Sequence, residues 1–308
     1  MKITVMGPGG VGGYFGARLA AAGNDVTFVA RGAHLEAMKA KGLRLDSEIG
    51  NLHLNPVKVV ADVREIPAAD AIIFAVKMRD TENAAESLKS LVAKGAAVFT
   101  FQNGVESAER IGKIVGTGNV VEGAARIASN IPEPGIIKQI GKFAILEFGE
   151  RDGKPSDRTT GFHAACVAAG INATLSDNIS RTLWLKFAML APLSGMTALT
   201  RGPLGAIRNN AQSYALVKAA VEETVAVGVA LKAGVESGDA AKTVKLIDGL
   251  PNAMMASMCH DLLAGKPIEV AGLSGAVARL AQANGVAAPT HAFIAAALAP
   301  FTDGTPKV

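Results

Sequence analysis

The most specific chemical pattern in the chain is a glycine-rich hexapeptide near its N-terminus. It reads Gly7-Pro8-Gly9-Gly10-Val11-Gly12. An apolar run, Ile3 to Met6, precedes it, and a helix-like segment, Gly13 to Ala22, follows. In a G-x-G-x-x-G pattern the first glycine allows a tight turn, the second lets the backbone approach a pyrophosphate, and the third brings the helix close to the strand. Because the start of a helix attracts anions, the pattern predicts a dinucleotide site.

The next strand pattern indicates which dinucleotide this site takes. It runs from Val26 to Ala30 and ends at Arg31, where NAD-binding domains usually carry an acidic residue for the ribose 2′-hydroxyl. A cation there favours a 2′-phosphate, so we interpret the site as one for NADP(H). Lys77 follows another apolar run, Ala71 to Val76, and should emerge at the same crevice. The alternative is that both cations face solvent at the ends of strands.

An enzyme that reduces a carbonyl also needs a proton donor for the alkoxide that develops. Lys186 stands out because Trp184, Leu185 and Phe187 surround it in the sequence. Burial would lower its pKa toward working pH and make it an acid, whereas the alternative is a long stem that reaches solvent. Asn103, in Gln102-Asn103-Gly104, is either a plain turn residue or an amide that bridges cofactor and substrate.

The five histidines give no comparable signal. None follows a strand at the crevice, and none pairs with another His or Cys at metal-ligand spacing, so we expect no catalytic histidine and no metal site. They are His34, His53, His163, His260 and His291.

The composition argues against several other functions. The 308 residues carry a net charge of +4 without a basic run and are only 5% aromatic, which does not favour a nucleic-acid partner. Cys166 and Cys259 lie far apart, as in a protein of a reducing compartment. The N-terminus enters a strand directly, and no uncharged apolar run reaches the roughly 18 residues of a membrane span. We therefore expect a cytoplasmic protein without membrane contact.

The order of the elements predicts two domains. Strands and helices alternate over residues 1–175, which is typical of a doubly wound α/β domain. Only helical patterns follow, so residues 176–308 should form an all-helical second domain, with helices that include 178–190, 209–233, 252–264 and 269–284. The helix over 209–233 is apolar on most faces and should be the buried spine. Residues 136–140 and 144–148 look like two antiparallel strands at the far edge of the sheet.

Several motifs, in this order and spacing, resemble the ketopantoate reductase (2-dehydropantoate 2-reductase) family over essentially the whole chain. They are G-P-G-G-V-G-G-Y-F-G at 7–16, Arg31, A-V-K at 75–77, Q-N-G-V at 102–105, E-P-G-I-I-K at 133–138, W-L-K-F at 184–187, S-M-C-H-D-L-L-A-G-K-P-I-E at 257–269 and G-A-V-A-R-L at 275–280. The resemblance implies a Rossmann domain followed by a helical domain that binds substrate. It also implies reduction of a 2-oxo acid by NADPH in a cleft between them, as in the conversion of 2-dehydropantoate to pantoate for pantothenate and coenzyme A.

The resemblance further implies roles for individual residues. Lys186 would be the general acid, and Glu269 would contact both the nicotinamide side of the cofactor and Lys186. Ser257 would bind the substrate carboxylate or hydroxyl, with Ser194 as a second substrate contact. Asn103 and Ala128 would line nicotinamide and substrate, and Arg31 and Lys77 would hold the 2′-phosphate end.

Three positions depart from the pattern of the family, and one is Ala271, two residues after Glu269, where the family usually has Asp. Its best-known members carry Asn four and eight residues after the acid lysine, where this chain has Leu190 and Ser194. Another 2-oxo acid or a more apolar ketone is therefore an alternative substrate, and a non-catalytic NADP(H) sensor or a β-hydroxyacid-dehydrogenase-like enzyme are weaker alternatives. Arg126 is a candidate contact for a substrate carboxylate, or else faces the cofactor phosphates or solvent. The apolar helices are compatible with a homodimer.

Overall fold

The computed structural model describes residues 1–306 of the chain. Their packing divides the chain into two compact units. The first contains Met1–Gln102 and Ser107–Ile179, and the second contains Asn103–Glu106 together with residues 180–306. A short segment of four residues thus belongs to the second unit although the chain on both sides of it belongs to the first.

The first unit is built on one sheet. Its strands are β1 Lys2–Met6, β2 Asp25–Val29, β3 Leu43–Ser47, β4 Leu52–Leu54, β5 Val59–Val60, β6 Ala71–Phe74, β7 Ala97–Thr100, β8 Val120–Glu133, β9 Ile136–Gly149 and β10 Asn172–Leu175. They are ordered β4-β3-β9-β8-β7-β6-β1-β2-β5, and β10 pairs with β9. The pairs from β5 to β8 are parallel, with β1 at the point where the chain order reverses. This confirms the predicted doubly wound domain.

Helices cover both faces of this sheet. They are α1 Gly10–Ala21, α2 Gly32–Lys41, α3 Thr81–Val92, α4 Ser107–Val115 and α5 Asp157–Ala168. Ile73 packs in one apolar cluster with residues of α1 and α5, whereas its neighbour Ile72 packs in another with residues of α3 and α4. Since successive side chains of a strand point to opposite faces, the fully apolar strands of the sequence are those buried on both faces.

The two strands predicted at the far edge of the sheet are one long strand inside it. β9 has 14 residues, runs antiparallel to β8, and lies between β8 and β3. Its register jumps from Ile127 opposite Ala144 to Ala128 opposite Ile140, so the extra residues bulge out without ending the pairing. The buried Gln139 amide stabilises the bulge, because it donates to the carbonyl oxygens of Ile140 at 3.0 Å and Gly141 at 2.6 Å.

The second unit is helical. Its helices are α6 Ile179–Thr200, α7 Leu204–Arg208, α8 Ala211–Ala230, α9 Asp239–Asp248, α10 Ser257–Leu263, α11 Ser274–Ala283 and α12 Pro289–Leu298. The helices predicted over 252–264 and 269–284 correspond to α10 and α11, which begin five residues later than predicted, at Ser257 and Ser274. Glu269 consequently lies in the segment before α11, just ahead of a 3-10 turn over Val270–Gly272.

The prediction that the 209–233 helix is the buried spine was wrong. α8 leaves Leu216 and Val229 exposed, whereas α6 is buried throughout residues 191–198. α6 also continues ten residues beyond the predicted end at residue 190, with Pro192 inside it. A proline inside a helix costs about 3 kcal/mol, and burial of the apolar side chains around it, at about 25 cal/mol per Å², outweighs that cost.

α6 has the length and the apolar composition that could cross a membrane. Most of its apolar stretch, 67%, is buried inside the protein. This pattern is that of the core helix of a folded domain.

Asp239 offers a test of how the helical unit is held together. Its carboxylate accepts hydrogen bonds from Arg181 at 2.8 Å, Lys242 at 3.1 Å and the backbone N–H of Glu236 at 2.9 Å. The Arg181 hydrogen bond is the main cause that lowers the pKa of Asp239 to about 2. We expect Asp239→Asn to lower the free energy of unfolding by about 1–2 kcal/mol at neutral pH, as measured by urea denaturation.

The pH dependence of this effect has a definite sign. Because the folded-state pKa lies below the unfolded value, the stabilisation is present above pH about 4 and is lost as the pH falls toward about 2. The wild-type and Asp239→Asn curves should therefore converge in acid. Asp303→Asn, at an exposed carboxylate, is the matched control and should leave stability unchanged at every pH. A constant difference between wild type and Asp239→Asn down to pH about 2 would contradict the assignment.

Candidate active site

The glycine-rich hexapeptide forms the connection from β1 to α1. Gly7 has a φ of +88°, a left-handed conformation that side chains rarely adopt. A Cβ at Gly12 would lie 2.4 Å from the carbonyl oxygen of Gly7, so any side chain there would push α1 off the strand. A Cβ at Gly9, by contrast, would have nothing within 4 Å among the described residues. The backbone of Gly9 therefore borders open space.

The start of α1 at this loop can hold an anion. α1 begins at Gly10, three residues earlier than the sequence predicted, and Gly9 is its N-cap. In the described chain no side chain caps this end, and the first turn contains no acidic residue. The first N–H groups of a helix lack acceptors inside the helix, so those of Gly10 and Val11 are available for phosphate oxygens. The loop thus fits the pyrophosphate of a dinucleotide.

Arg31 follows β2 and Lys77 follows β6, the two strands that flank β1. Arg31 is the N-cap of α2, and its guanidinium donates to the carboxylate of Asp80 at 2.9 Å. The pair is open to solvent, since the Arg31 side chain is 78% exposed. Lys77 does not follow its strand directly as predicted, because β6 ends at Phe74 and a 3-10 turn begins at Met78. Its side chain is exposed. Asp80 was not anticipated from the sequence.

The β8–β9 hairpin contributes to the surroundings of the loop. A Cβ at Gly10 would lie 2.6 Å from the carbonyl oxygen of Ser129 on β8, so the hairpin and the loop pack backbone to backbone. Ala128, at the register jump of β8, is exposed. Ser129 was missed by sequence reasoning, and the second glycine of the Gly9-Gly10 pair is the only signal that could have indicated such a close neighbour.

In the helical unit, the structure brings together two of the predicted residues. The Nζ of Lys186 on α6 donates to Oδ1 of Asn103 at 3.0 Å. Lys186 is half-buried, between the two alternatives of a buried acid and an exposed stem. Asn103 belongs to this unit because its segment, Asn103–Glu106, packs with the helices. The amide therefore holds the ammonium group in one place.

Arg279 on α11 connects the segments that carry Asn103 and Glu269. Its guanidinium donates to the carboxylate of Glu106 and to the carbonyl oxygen of Ala271, both at 2.8 Å. Glu106 ends the segment that Asn103 begins, and Ala271 lies in the 3-10 turn that follows the half-buried Glu269. Sequence reasoning assigned no role to Arg279.

The remaining predicted substrate residues lie in different environments. Ser257 is the first residue of α10 and is exposed, and Leu190 is half-buried on α6. Ser194, one turn further along α6, is fully buried, and its hydroxyl has no hydrogen-bond partner among residues 1–306. A contact between Ser194 and a substrate would therefore need a change of conformation.

Arg126 has an acidic partner inside its own sheet. Its guanidinium donates to the carboxylate of Glu147 on β9 at 2.9 Å, and both side chains are largely buried. The Arg126 guanidinium is therefore paired with a carboxylate of the protein itself and needs no substrate carboxylate as a partner.

A doubly wound domain with a glycine-rich loop of this kind defines a class of dinucleotide-binding proteins, many of which are oxidoreductases. The chain matches the family model "Ketopantoate reductase PanE/ApbA" over residues 3–153 and "Ketopantoate reductase PanE/ApbA C terminal" over residues 178–301. It belongs to the ketopantoate reductase family, which confirms the resemblance read from its motifs. It is accordingly an oxidoreductase that acts on a keto or hydroxyl group, and the enzymes of this family act on small oxo acids.

Individual relatives agree with this assignment. A 2-dehydropantoate 2-reductase of Mesorhizobium japonicum is 32% identical over 314 residues, which cover 94% of each chain. The crystal structure of a PanE/ApbA family ketopantoate reductase from Ralstonia eutropha superimposes with a TM-score of 0.87, at 30% identity and 96% coverage of each chain. The structure of D-mandelate dehydrogenase with NADH and anilino(oxo)acetate also has a TM-score of 0.87, with 97% of each chain covered. At 22% identity, that likeness shows the fold alone.

The two contacts of Arg279 predict that its mutation lowers activity but hardly changes the free energy of unfolding. An exposed ion pair contributes about 0.2–1 kcal/mol to stability, whereas a small displacement of an active-site group can cost up to about 100-fold in rate. We expect Arg279→Ala to lower kcat for 2-oxo acid reduction about tenfold while the free energy of unfolding changes by less than about 1 kcal/mol.

A remote arginine supplies the control for Arg279. Arg44→Ala removes an exposed ion pair of similar length, 2.9 Å to Asp46, in the first unit. It should alter neither kcat nor stability measurably. Equal activities of Arg279→Ala and Arg44→Ala would show that Arg279 does not position the site.

Proposed function

We propose that this protein reduces a 2-oxo acid with NADPH, and that 2-dehydropantoate, reduced to pantoate for pantothenate and coenzyme A synthesis, is its first candidate substrate. The observation that carries the proposal is the hydrogen bond from the Lys186 ammonium to the Asn103 amide, because it holds a proton donor in a fixed position. The names of the relatives support the substrate class. We place the reaction in the cytoplasm.

The first unit binds the cofactor in this proposal. The Gly7–Gly12 loop receives the pyrophosphate at the start of α1, and Ala128 lines the nicotinamide end. Arg31 and Lys77 receive the 2′-phosphate, since a guanidinium and an ammonium both suit a phosphate. When bound, NADPH supplies the hydride for the carbonyl carbon of the substrate.

Lys186 supplies the proton. Its ammonium donates a proton to the carbonyl oxygen as negative charge develops there, and the resulting amine is protonated again from solvent. The Asn103 carbonyl accepts one ammonium N–H bond, which orients the others. Glu269 supports Lys186 and the nicotinamide side, and Ser257 binds the substrate carboxylate or hydroxyl. Ser194 joins the substrate contacts only after the change of conformation that its burial requires.

A second candidate function keeps the chemistry and changes the substrate. Leu190 lies one helical turn after Lys186 and is half-buried, so it offers an apolar surface near the proton donor. A leucine cannot form a hydrogen bond with a substrate hydroxyl, and such bonds can contribute a discrimination on the order of 10⁴-fold. A 2-oxo acid with a bulkier and more apolar substituent is the alternative substrate.

The role of Lys186 is tested by turnover. We expect Lys186→Ala to lower kcat by about 10²–10⁴-fold, the usual contribution of a general acid, while the dissociation constant of NADPH stays unchanged. NADPH oxidation should be followed with 2-dehydropantoate and with a panel of aliphatic and aryl 2-oxo acids. Lys218→Ala is the control, since Lys218 is an exposed lysine of the same helical unit.

The outcomes of this assay separate the candidate functions. Fast, Lys186-dependent turnover of 2-dehydropantoate supports the first, and fast turnover of a bulkier 2-oxo acid instead supports the second. Unchanged turnover in Lys186→Ala would overturn the assignment of the acid. NADPH binding without turnover of any 2-oxo acid would identify a sensor.

The Arg31–Asp80 ion pair predicts how cofactor preference responds to mutation. We expect Arg31→Ala to raise the dissociation constant of NADPH about 10–100-fold and to leave that of NADH nearly unchanged, since only NADPH has the 2′-phosphate. Asp80→Asn should act in the opposite direction, because it removes a negative charge that competes with the phosphate for Arg31. Fluorescence titration with both nucleotides measures the effect. Equal losses for NADPH and NADH in Arg31→Ala would contradict the role of Arg31.

A further inference from the structure

His34 lies beside the cofactor loop in the first turn of α2 and makes two hydrogen bonds through its ring. Nε2 lies 2.9 Å from the carbonyl oxygen of Pro8, and Nδ1 lies 3.0 Å from the backbone nitrogen of Gly135. The ring is half-buried. Burial lowers the pKa of His34, which favours the neutral ring.

These two partners determine where the proton of the ring resides. The N–H of Gly135 donates to Nδ1, so Nδ1 carries no hydrogen. Nε2 therefore carries the proton and donates it to the carbonyl oxygen of Pro8. Only the neutral Nε2–H form of His34 makes both bonds, because a protonated ring would set one N–H group against another.

The ring joins the glycine-rich loop to the turn of the β8–β9 hairpin. Pro8 is the second residue of the Gly7–Gly12 loop, and Gly135 is in the turn between β8 and β9. The turn is itself fixed, since the carbonyl oxygen of Gly135 accepts the N–H of Arg44 at 2.9 Å. It also packs on α2, because a Cβ at Gly135 would lie 3.2 Å from Cβ of Ala37.

The same hairpin meets the loop a second time. Ser129 of β8 packs its carbonyl group against Gly10, at the residue where α1 begins. The loop is therefore held from its two sides by one hairpin, at Gly10 through direct backbone contact and at Pro8 through the ring of His34. Proline has no N–H, so its carbonyl is the backbone group through which Pro8 can be anchored.

We propose that His34 is a positioning residue for the cofactor, which holds the Gly7–Gly12 loop on the β8–β9 hairpin in the geometry that receives the dinucleotide pyrophosphate. The proposal rests on the proposed binding of NADPH to this loop. His34 takes no part in proton transfer to the substrate. Its effect is on the pyrophosphate, which NADPH and NADH share, whereas Arg31 acts on the 2′-phosphate, which they do not share.

Two amide substitutions separate the bonds of the ring. In His34→Gln the side-chain NH₂ can occupy the place of Nε2 and donate to the Pro8 carbonyl. In His34→Asn the shorter side chain places its oxygen near the position of Nδ1, where it can accept from Gly135 but does not reach Pro8. His34→Ala removes both bonds. His53→Ala is the matched control, because His53 also bonds a backbone carbonyl, that of Lys41 at 2.8 Å, but is exposed and away from the loop.

The experiment is a fluorescence titration of the full-length variants with NADPH and with NADH. We expect His34→Ala to raise both dissociation constants by about tenfold and by the same factor. His34→Gln should recover most of the affinity, His34→Asn should recover little, and His53→Ala should match the wild type. Because this ranking compares two folded amide variants, it holds even where His34→Ala is too unstable to assay.

Other results would overturn the inference. Wild-type affinity in His34→Asn, equal recovery by the two amides, or a loss confined to NADPH would each show that the Pro8 bond does not position the loop. A wild-type protein that binds neither nucleotide would overturn the proposed function instead. A wild-type protein that binds NADPH, beside His34→Ala and His34→Asn variants that bind it equally well, would leave the proposed function standing and reject the role of His34.

Discussion

The first unit depends on a contact that leaves no room for a side chain. A Cβ at Gly12 would lie 2.4 Å from the carbonyl oxygen of Gly7, and one at Gly16 would lie 2.7 Å from a methyl group of Val5. α1 can therefore lie directly on β1 only because these positions lack side chains. This close packing aims the uncapped start of α1 at the open space beside Gly9. Because α1 lies so close to β1, the loop between them can bind a phosphate group.

Polar side chains that donate to backbone carbonyl groups stabilise the segments that carry the predicted site residues. His34 reaches the carbonyl oxygen of Pro8, Gln139 supports the bulge of β9, and Arg279 bonds the carbonyl oxygen of Ala271. Each of these side chains donates a hydrogen bond to a backbone carbonyl group and thereby fixes the position of the segment that carries it. The residues that would touch a ligand are few, and their geometry depends on a second set of polar side chains.

In the helical unit, α6 carries both the proposed proton donor and two residues that distinguish this chain from well-known family members. The Lys186–Asn103 pair supplies a held ammonium group, which any carbonyl reduction can use. Leu190 and Ser194, on the same helix, are two of the positions at which the chain departs from the best-known members of its family. Leu190 is half-buried and apolar, and Ser194 is fully buried, so neither residue presents an accessible polar group. In the proposed function, these departures bear on the choice of substrate and not on the proton donor.

The sequence by itself determined the elements whose signal is local. Apolar runs and glycines indicated the parallel strands, the loop over Gly7–Gly12 and the two-part organisation. Each of these signals comes from residues that are close together in the sequence. Sequence motifs likewise indicated the family and with it Lys186 and Asn103. What they could not indicate was that Asn103 packs with the helical unit, since that depends on contacts between residues 83 positions apart.

The tertiary structure decided the rest. It joined the two predicted edge strands into β9 through a bulge, and it made α6 rather than α8 the buried helix, because burial depends on neighbours from other helices and not on apolar content. It also gave Arg31, Arg126 and His34 their partners, Asp80, Glu147 and the pair Pro8 and Gly135. Such partners lie between 21 and 101 residues away in the sequence, and no local pattern records which distant segments the fold brings together.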